Sequence, residues 1–206
     1  MIQPERAMMH SENLVTEACN GNAQAQDRLV QLWYRRIYNF CYKFFMDHDL
    51  AMEATQKTFI SMYRNLPALS DAARFRSWLY TIAVNQCRQE ARNRRNNIPL
   101  PTHAGLTEEH TSTDWEKSNH RHENPERHLV HKELADILQE CLLQLSPEQR
   151  EIVIMKEYEG LKFREIAEVL GIPENTAKSR LYYGLTNLKR LLERRNITPE
   201  IFNDEN

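Results

Sequence analysis

Between Glu159 and Leu188 the chain spells out two helices and the break between them. Phe163, Ile166, Ala167 and Leu170 recur at i, i+3, i+4 and i+7, the spacing that places four apolar side chains along one helix face. Gly171 then stands where a helix is closed by a left-handed residue, and Pro173 pre-sets φ for the helix that follows. In that second helix Ala177, Leu181, Leu185 and Leu188 fall on an inward side. Asn175, Lys178, Ser179 and Tyr182 fall on an outward row, with Arg180 and Tyr183 on its flanks. Read as a helix-turn-helix, the second helix would enter a DNA major groove. An ordinary helical hairpin with a solvated basic face fits the same residues.

The rest of the chain keeps the helical period. Five glycines in 206 residues and few strand-like alternations predict an all-α protein, long enough for two cores. Residues 1–10 read as a ragged end, and Asn13–Cys19 as a short helix broken at Asn20-Gly21. Ala23–Met46 predicts a long helix with Leu29, Leu32, Trp33, Ile37, Phe40, Cys41, Phe44 and Phe45 on its apolar face. Leu50–Leu66 predicts a second, with Ala54, Thr58, Ile60 or Met62, and Tyr63 inward and Pro67 as the stop. Phe75–Arg95 predicts a third, apolar at Phe75, Trp78, Leu79, Ile82, Ala83 and Cys87. Trp78 at this spacing reads as core. Three such helices can close one core, which places a first domain at 11–95.

Residues 96–126 lose all periodicity. They hold three prolines and six acids against two bases, so a flexible acidic linker is expected. Periodicity returns at Arg127. Ser146-Pro147-Glu148-Gln149 has a capping serine and proline at the first helical position. A second domain of four helices is therefore expected at 127–195. The predicted architecture is two small helical domains joined by a flexible linker, the second carrying the helix-turn-helix.

The net charge of −2 conceals a pattern. Arg74–Arg95 holds six arginines against one glutamate, and Leu161–Arg195 holds eight basic residues against four acids. Glu133–Gly160, between them, holds seven acids against two bases. Two basic islands separated by acidic ground suit a protein that touches a polyanion at two places. Cys19, Cys41, Cys87 and Cys141 are scattered in apolar contexts with no C-x-x-C, so buried thiols in a reducing compartment are expected. The first residues lack the apolar core of a signal peptide, and no apolar run reaches the length of a membrane span. A cytoplasmic location with no membrane contact is the expectation. Six of eight histidines lie between His103 and His131, but without nearby cysteines or a supporting shell they do not predict a metal site. No nucleophile–base set, glycine-rich phosphate loop or carboxylate pair stands out. An enzyme is not expected, and neither is a cofactor.

Four words in order are more specific than any one motif: AMEATQKTF at Ala51–Phe59, FRSWLYTIAVNQCR at Phe75–Arg88, LSPEQREIVIMKEYEGL at Leu145–Leu161 and GIPENTAKSRL at Gly171–Leu181. With them the chain resembles the bacterial RNA polymerase sigma factors of the extracytoplasmic-function (ECF) group. The resemblance implies a subunit that binds core RNA polymerase, recognises the minus-10 and minus-35 promoter elements and promotes DNA melting. It implies core polymerase and promoter DNA as partners, and an anti-sigma factor as a third. By position it assigns Ser70, Asp71, Arg74, Phe75, Asn85, Arg88 and Arg92 to minus-10 DNA. An amide such as that of Asn85 can read an extruded base edge, while Arg88 and Arg92 can neutralise phosphates. It assigns Lys156, Arg164, Lys178, Ser179, Arg180, Tyr182 and Tyr183 to minus-35 DNA, where Lys178 or Arg180 could donate to guanine. Asp49, Glu53, Gln56, Lys57 and Phe59 match positions that dock on core polymerase. Lys57 departs from the acid usual there, and Tyr182-Tyr183-Gly184 departs from the usual groove contacts. Two other readings share the helix-turn-helix: a free-standing repressor or activator, and a metal-responsive regulator using the histidine-rich linker.

Overall fold

The computed structural model describes residues 4–96 and 125–197, with side chains described at 12–94 and 133–197. The expected linker lies almost entirely outside the described residues, and so do the side chains of the histidines from His103 to His131. Every regular element among the described residues is helical: α1 (Pro4–Cys19), α2 (Ala23–Phe45), α3 (His48–Asn65), α4 (Phe75–Asn96), α5 (Pro125–Gln144), α6 (Pro147–Val153), α7 (Phe163–Leu170) and α8 (Glu174–Glu193). None is long and apolar enough to cross a membrane.

The helix ends are set by local chemistry. Asn22 caps α2 by accepting from the Ala25 N–H at 3.2 Å, and Asp47 caps α3 by accepting from Leu50 at 3.1 Å. The Asp47 cap starts α3 two residues before the apolar pattern begins. Ser146 caps α6 as expected, 3.3 Å from the Gln149 nitrogen. Beyond α6 the chain widens into a π turn at Ile154–Tyr158. Gly171 closes α7 at φ 64°. The N-terminal helix is longer than expected, because α1 begins at Pro4 rather than Asn13.

The first domain packs α2, α3 and α4 around Leu29, Ile37, Phe40, Met62, Leu79 and Tyr80, with α1 laid across α2. Its aromatic centre is edge-on throughout: Trp33 to Phe75 at 5.7 Å, Trp33 to Tyr80 at 6.3 Å and Phe40 to Tyr80 at 5.6 Å. Leu32 and Tyr63, expected inside, are exposed, and of the alternatives Ile60 or Met62 it is Met62 that is buried. The buried row of α3 is instead Ala51, Ala54, Thr55, Thr58, Phe59 and Met62, and Thr55 and Thr58 satisfy their hydroxyls on carbonyls one turn back. Trp78 is half-buried against the first core, tilted over Phe75 at 5.9 Å. Cys41, Cys87 and Cys141 are buried free thiols, and Cys19 is half-buried.

The second core gathers Leu142, Ile152, Ile154, Met155, Leu161, Ile166, Ala177 and Leu181. In α8 the inward row is Ala177, Leu181, Gly184 and Leu188, so Leu185 is turned outward. The reason is Gly184. A Cβ there would lie 3.1 Å from Val153 Cγ2 and 3.5 Å from Gln149 Cβ, so α8 approaches α6 through a missing side chain. Gly184→Leu should therefore push the helices apart and cost about 1–3 kcal/mol. Urea unfolding reads this, and a wild-type midpoint would show that the α6–α8 spacing yields freely.

Candidate nucleic-acid interface

The outward face of α8 comes directly from its register. With Ala177, Leu181, Gly184 and Leu188 inside, Lys178, Ser179, Tyr182 and Tyr183 must point out, and all four are exposed. Tyr182 and Tyr183 meet edge-on at 5.7 Å and are 68% and 61% exposed, a large aromatic surface for a water-facing helix. The fold brings two of the predicted groups onto the Phe163 ring. Lys178 Nζ is 5.7 Å from its centre, Lys156 Nζ is 5.0 Å away, and Arg164 is exposed on the next residue. Lys178 also pairs with Glu174 at 2.8 Å, an exposed contact one turn away that exchanges readily for another anion. Arg180 differs from the rest. It is half-buried on the flank of α8 toward α6, where its charge acts on Glu148 and Glu151.

In the first domain Asn85 and Arg92 are exposed on α4, and Ser70, Asp71 and Arg74 are exposed on the short turns before it. Asp71 accepts from the Ala73 N–H at 2.9 Å and so shapes the loop rather than standing free. Phe75 is 2% exposed and locked against Trp33. Its assignment to a DNA surface is corrected by this structure: the apolar stripe that places Leu79 and Ala83 inside carries Phe75 with them. Arg88 is not free either. Its Nε and Nη2 donate to the two carboxylate oxygens of Glu151 in α6, at 3.1 and 2.6 Å.

On α3, Asp49, Glu53 and Gln56 are exposed. Phe59 is 6% exposed and stacked on Tyr34 at 6.0 Å, so it lies beneath the exposed row of α3 rather than in it. Lys57 has a local reason to be basic. Its Nζ lies 2.6 Å from Glu90, a carboxylate buried on α4, and 2.7 Å from Glu53. A buried carboxylate requires a cation, and Lys57 supplies it across the α3–α4 seam.

Two stretches of the chain match known families: residues 29–97 match Sigma-70 region 2, and residues 135–188 match Sigma-70, region 4. Over 178 residues the chain is 32% identical to the RNA polymerase sigma factor CarQ of Myxococcus xanthus, covering 82% of this chain and 91% of that protein. It is 27% identical over 178 residues to the ECF RNA polymerase sigma factor SigW of Bacillus subtilis, covering 86% and 94%. The chain belongs to the RNA polymerase sigma factors of the ECF group. Solved structures show the same fold. CnrH, in complex with the cytosolic domain of CnrY, superposes with a TM-score of 0.65 at 22% identity over 89% of this chain and 97% of that one. The sigma factor RpoE of Bartonella quintana, solved with the anti-sigma factor NepR, superposes with a TM-score of 0.60 at 20% identity over 81% and 96%. As a sigma factor the protein serves promoter-specific transcription initiation with RNA polymerase.

Several residues central to this sigma factor's structure were not singled out from the sequence. Arg150 donates from Nε to the Leu142 carbonyl at 2.9 Å and from Nη2 to that of Leu145 at 3.1 Å, closing α5. Its Nη1 reaches the Phe44 carbonyl of the first domain at 2.8 Å. Tyr80 donates to Glu159, and Arg76 donates to the Glu159 carbonyl. Glu90 could have been found, since it extends the inward row Leu79, Ala83, Cys87, and a charge on an apolar row needs a partner.

Burial pushes the Glu151 carboxyl above the ordinary glutamate range despite the Arg88 and Arg180 charges, with Glu148 adding repulsion. Burial likewise raises Glu159, outweighing the Tyr80 hydrogen bond and the charges of Lys43, Arg36 and Arg76. Carboxyls raised in the folded state contribute stability that is fully present below their ordinary pKa. That stability is lost as pH rises through the raised value. The contribution of these two groups should therefore fall as pH rises above the ordinary glutamate range. Denaturant midpoints of Glu151→Gln and Glu159→Gln should show a flatter slope than wild type across that window. An unchanged slope would remove these groups as its cause.

Proposed function

We propose that this sigma factor binds core RNA polymerase through its first domain and reads a promoter at two places. Residues 11–95 form the region that docks on core polymerase through Asp49, Glu53 and Gln56. The same region holds minus-10 DNA through the Ser70–Arg74 turns, Asn85, Arg88 and Arg92, promoting strand separation. Residues 127–195 lay α8 in the major groove of the minus-35 element, with Lys178, Ser179, Tyr182 and Tyr183 toward the bases and Lys156 and Arg164 toward the backbone. Residues 96–126 connect the two as a linker. An anti-sigma factor is a further partner of this reading, as the solved relative RpoE is held by NepR.

The observation that carries the reading is the exposed row of α8, four side chains of groove-reading chemistry on one face of a helix-turn-helix. It is tested by adding the purified chain to sigma-free core polymerase with a library of promoter fragments. Specific transcripts and co-elution with core are expected. Failure of both would remove the proposal. A free-standing repressor would instead bind duplex DNA without core and yield no transcript.

A further inference from the structure

Tyr182 and Tyr183 are the most exposed of the large apolar side chains among the described residues. Neither hydroxyl has a hydrogen-bond partner among those residues, and the aromatic neighbour of each ring is the other. The register of α8 holds them in water. Gly184 is pressed against α6, where a Cβ would lie 3.1 Å from Val153 Cγ2. At 3.6 residues per turn, Tyr182 lies about 200° round the helix from that contact and Tyr183 about 100°. Tyr182 therefore faces away from the domain, and Tyr183 lies on the flank. The polar groups on the same face are partly spent. Ser179 Oγ donates to the Thr176 carbonyl at 3.0 Å, and Lys178 is shared between Glu174 at 2.8 Å and the Phe163 ring. Arg180 is half-buried. What this stretch of α8 offers in quantity is aromatic surface rather than free hydrogen-bond donors.

We propose that Tyr182 and Tyr183 are specificity-determining residues that read thymine methyl groups in the minus-35 element. The inference rests on the reading of α8 as the helix in the major groove, and it names the base feature that helix selects. Of the four bases only thymine shows a methyl in that groove, and apolar side-chain contact is how such a methyl is recognised. Two rings set edge-on form an apolar corner, the arrangement aromatic pairs prefer. Each ring limits the rotation of the other, so less side-chain freedom is lost when DNA covers them. In the free chain the two rings forgo the stabilisation of burial, and a methyl-bearing groove wall restores it. A hydroxyl contact to phosphate or to a base nitrogen is the competing account, and the ring-preserving change to phenylalanine separates the two.

The test uses holoenzyme assembled from the full chain and core RNA polymerase. Promoter fragments randomised across the minus-35 region are selected by binding. Each thymine of the enriched element is then replaced by deoxyuridine, which removes the methyl and keeps the base pair. One or two of these replacements should weaken binding about fourfold each, the factor expected for one buried methyl. The same replacement outside the element should change nothing. Tyr182→Phe and Tyr183→Phe should keep the preference for thymine over uracil. The double variant Tyr182→Ala/Tyr183→Ala, at two exposed positions of a helix that alanine favours, should keep its helicity and lose the preference. Lys178→Ala should weaken binding to both fragments and leave the preference unchanged. Equal binding of thymine and uracil fragments by the unaltered chain, or an enriched element without thymine on either strand, would overturn the methyl reading and leave α8 in the groove. A preference that survives in the double alanine variant would place the methyl against another residue, and loss of it in the phenylalanine variants would assign the reading to the hydroxyls; both overturn the proposal. Absence of any enriched minus-35 element would remove the groove placement itself, and the inference with it.

Discussion

Asn85→Ala should lower open-complex formation on a duplex promoter by about tenfold or more while leaving the fold and core binding intact. The expectation follows from where α4 places the residue. Leu79, Ala83 and Cys87 fix the inward side, so Asn85 is exposed, and its amide has no hydrogen-bond partner among the described residues. Truncating an exposed asparagine in a helix removes no packing, and alanine is the better helix former. Any large loss must therefore come from something outside the chain. An amide that pairs with an extruded base edge contributes about 1–3 kcal/mol, which sets the size of the effect. Permanganate reactivity of unpaired thymines measures it directly. A pre-opened template should show whether the loss lies in strand separation or in holding the separated strand. Wild-type opening on the closed duplex, with wild-type activity on the pre-opened one, would remove Asn85 from DNA recognition.

Tyr80→Ala should cost about 3–5 kcal/mol, the range for emptying a large aromatic site in a packed core. Tyr80 is fully buried, and its ring is the shared neighbour of Trp33 and Phe40. Its hydroxyl leaves the first domain altogether and donates to Glu159 of the second. Tyr80→Phe separates the two roles. It keeps the ring contacts, so the first domain should hold most of its stability, but it leaves a half-buried carboxylate short of one donor. The phenylalanine variant should resist denaturant far better than the alanine one and still loosen the packing between domains, read as increased protease sensitivity near Glu159. Equal stability of alanine and wild type would mean that the aromatic centre of α2–α4 is not the core it forms here.

Both predictions separate what local sequence decides from what it cannot. Helix identities were legible because their determinants are local. Asn22, Asp47 and Ser146 cap within three residues, Gly171 closes α7, and the apolar rows repeat at helical period. The outward row of α8 was legible for the same reason, apart from Leu185. There the close approach of α6 through Gly184 rotated the inward side by one position, and a glycine carries no hydrophobic signal to announce it. Tyr63 was misplaced, and Ile60 or Met62 left open, because either helical row of α3 was apolar enough. The positions of α2 and α4 decided that Ala51, Ala54, Thr58 and Met62 would be the buried one.

Charge was legible in amount and illegible in partner. The acidic stretch Glu133–Gly160 and the arginines of α4 stand out in the sequence as blocks of opposite sign. As blocks they suggest a polyanion-binding face and acidic ground set apart from it. Only the tertiary structure shows the acidic stretch folding back, so that Glu151 meets Arg88 across 63 residues of chain and Glu159 meets Tyr80 across 79. No periodicity encodes such a meeting, because helical spacing fixes the face on which a charge lies and says nothing about which surface comes to cover that face. The sequence by itself determined eight helices, two domains and the chemistry available on each exposed row. Which of those charged groups face solvent, and which are spent on one another, was decided by how the second domain packs against α4, where desolvation and ion pairing are settled together.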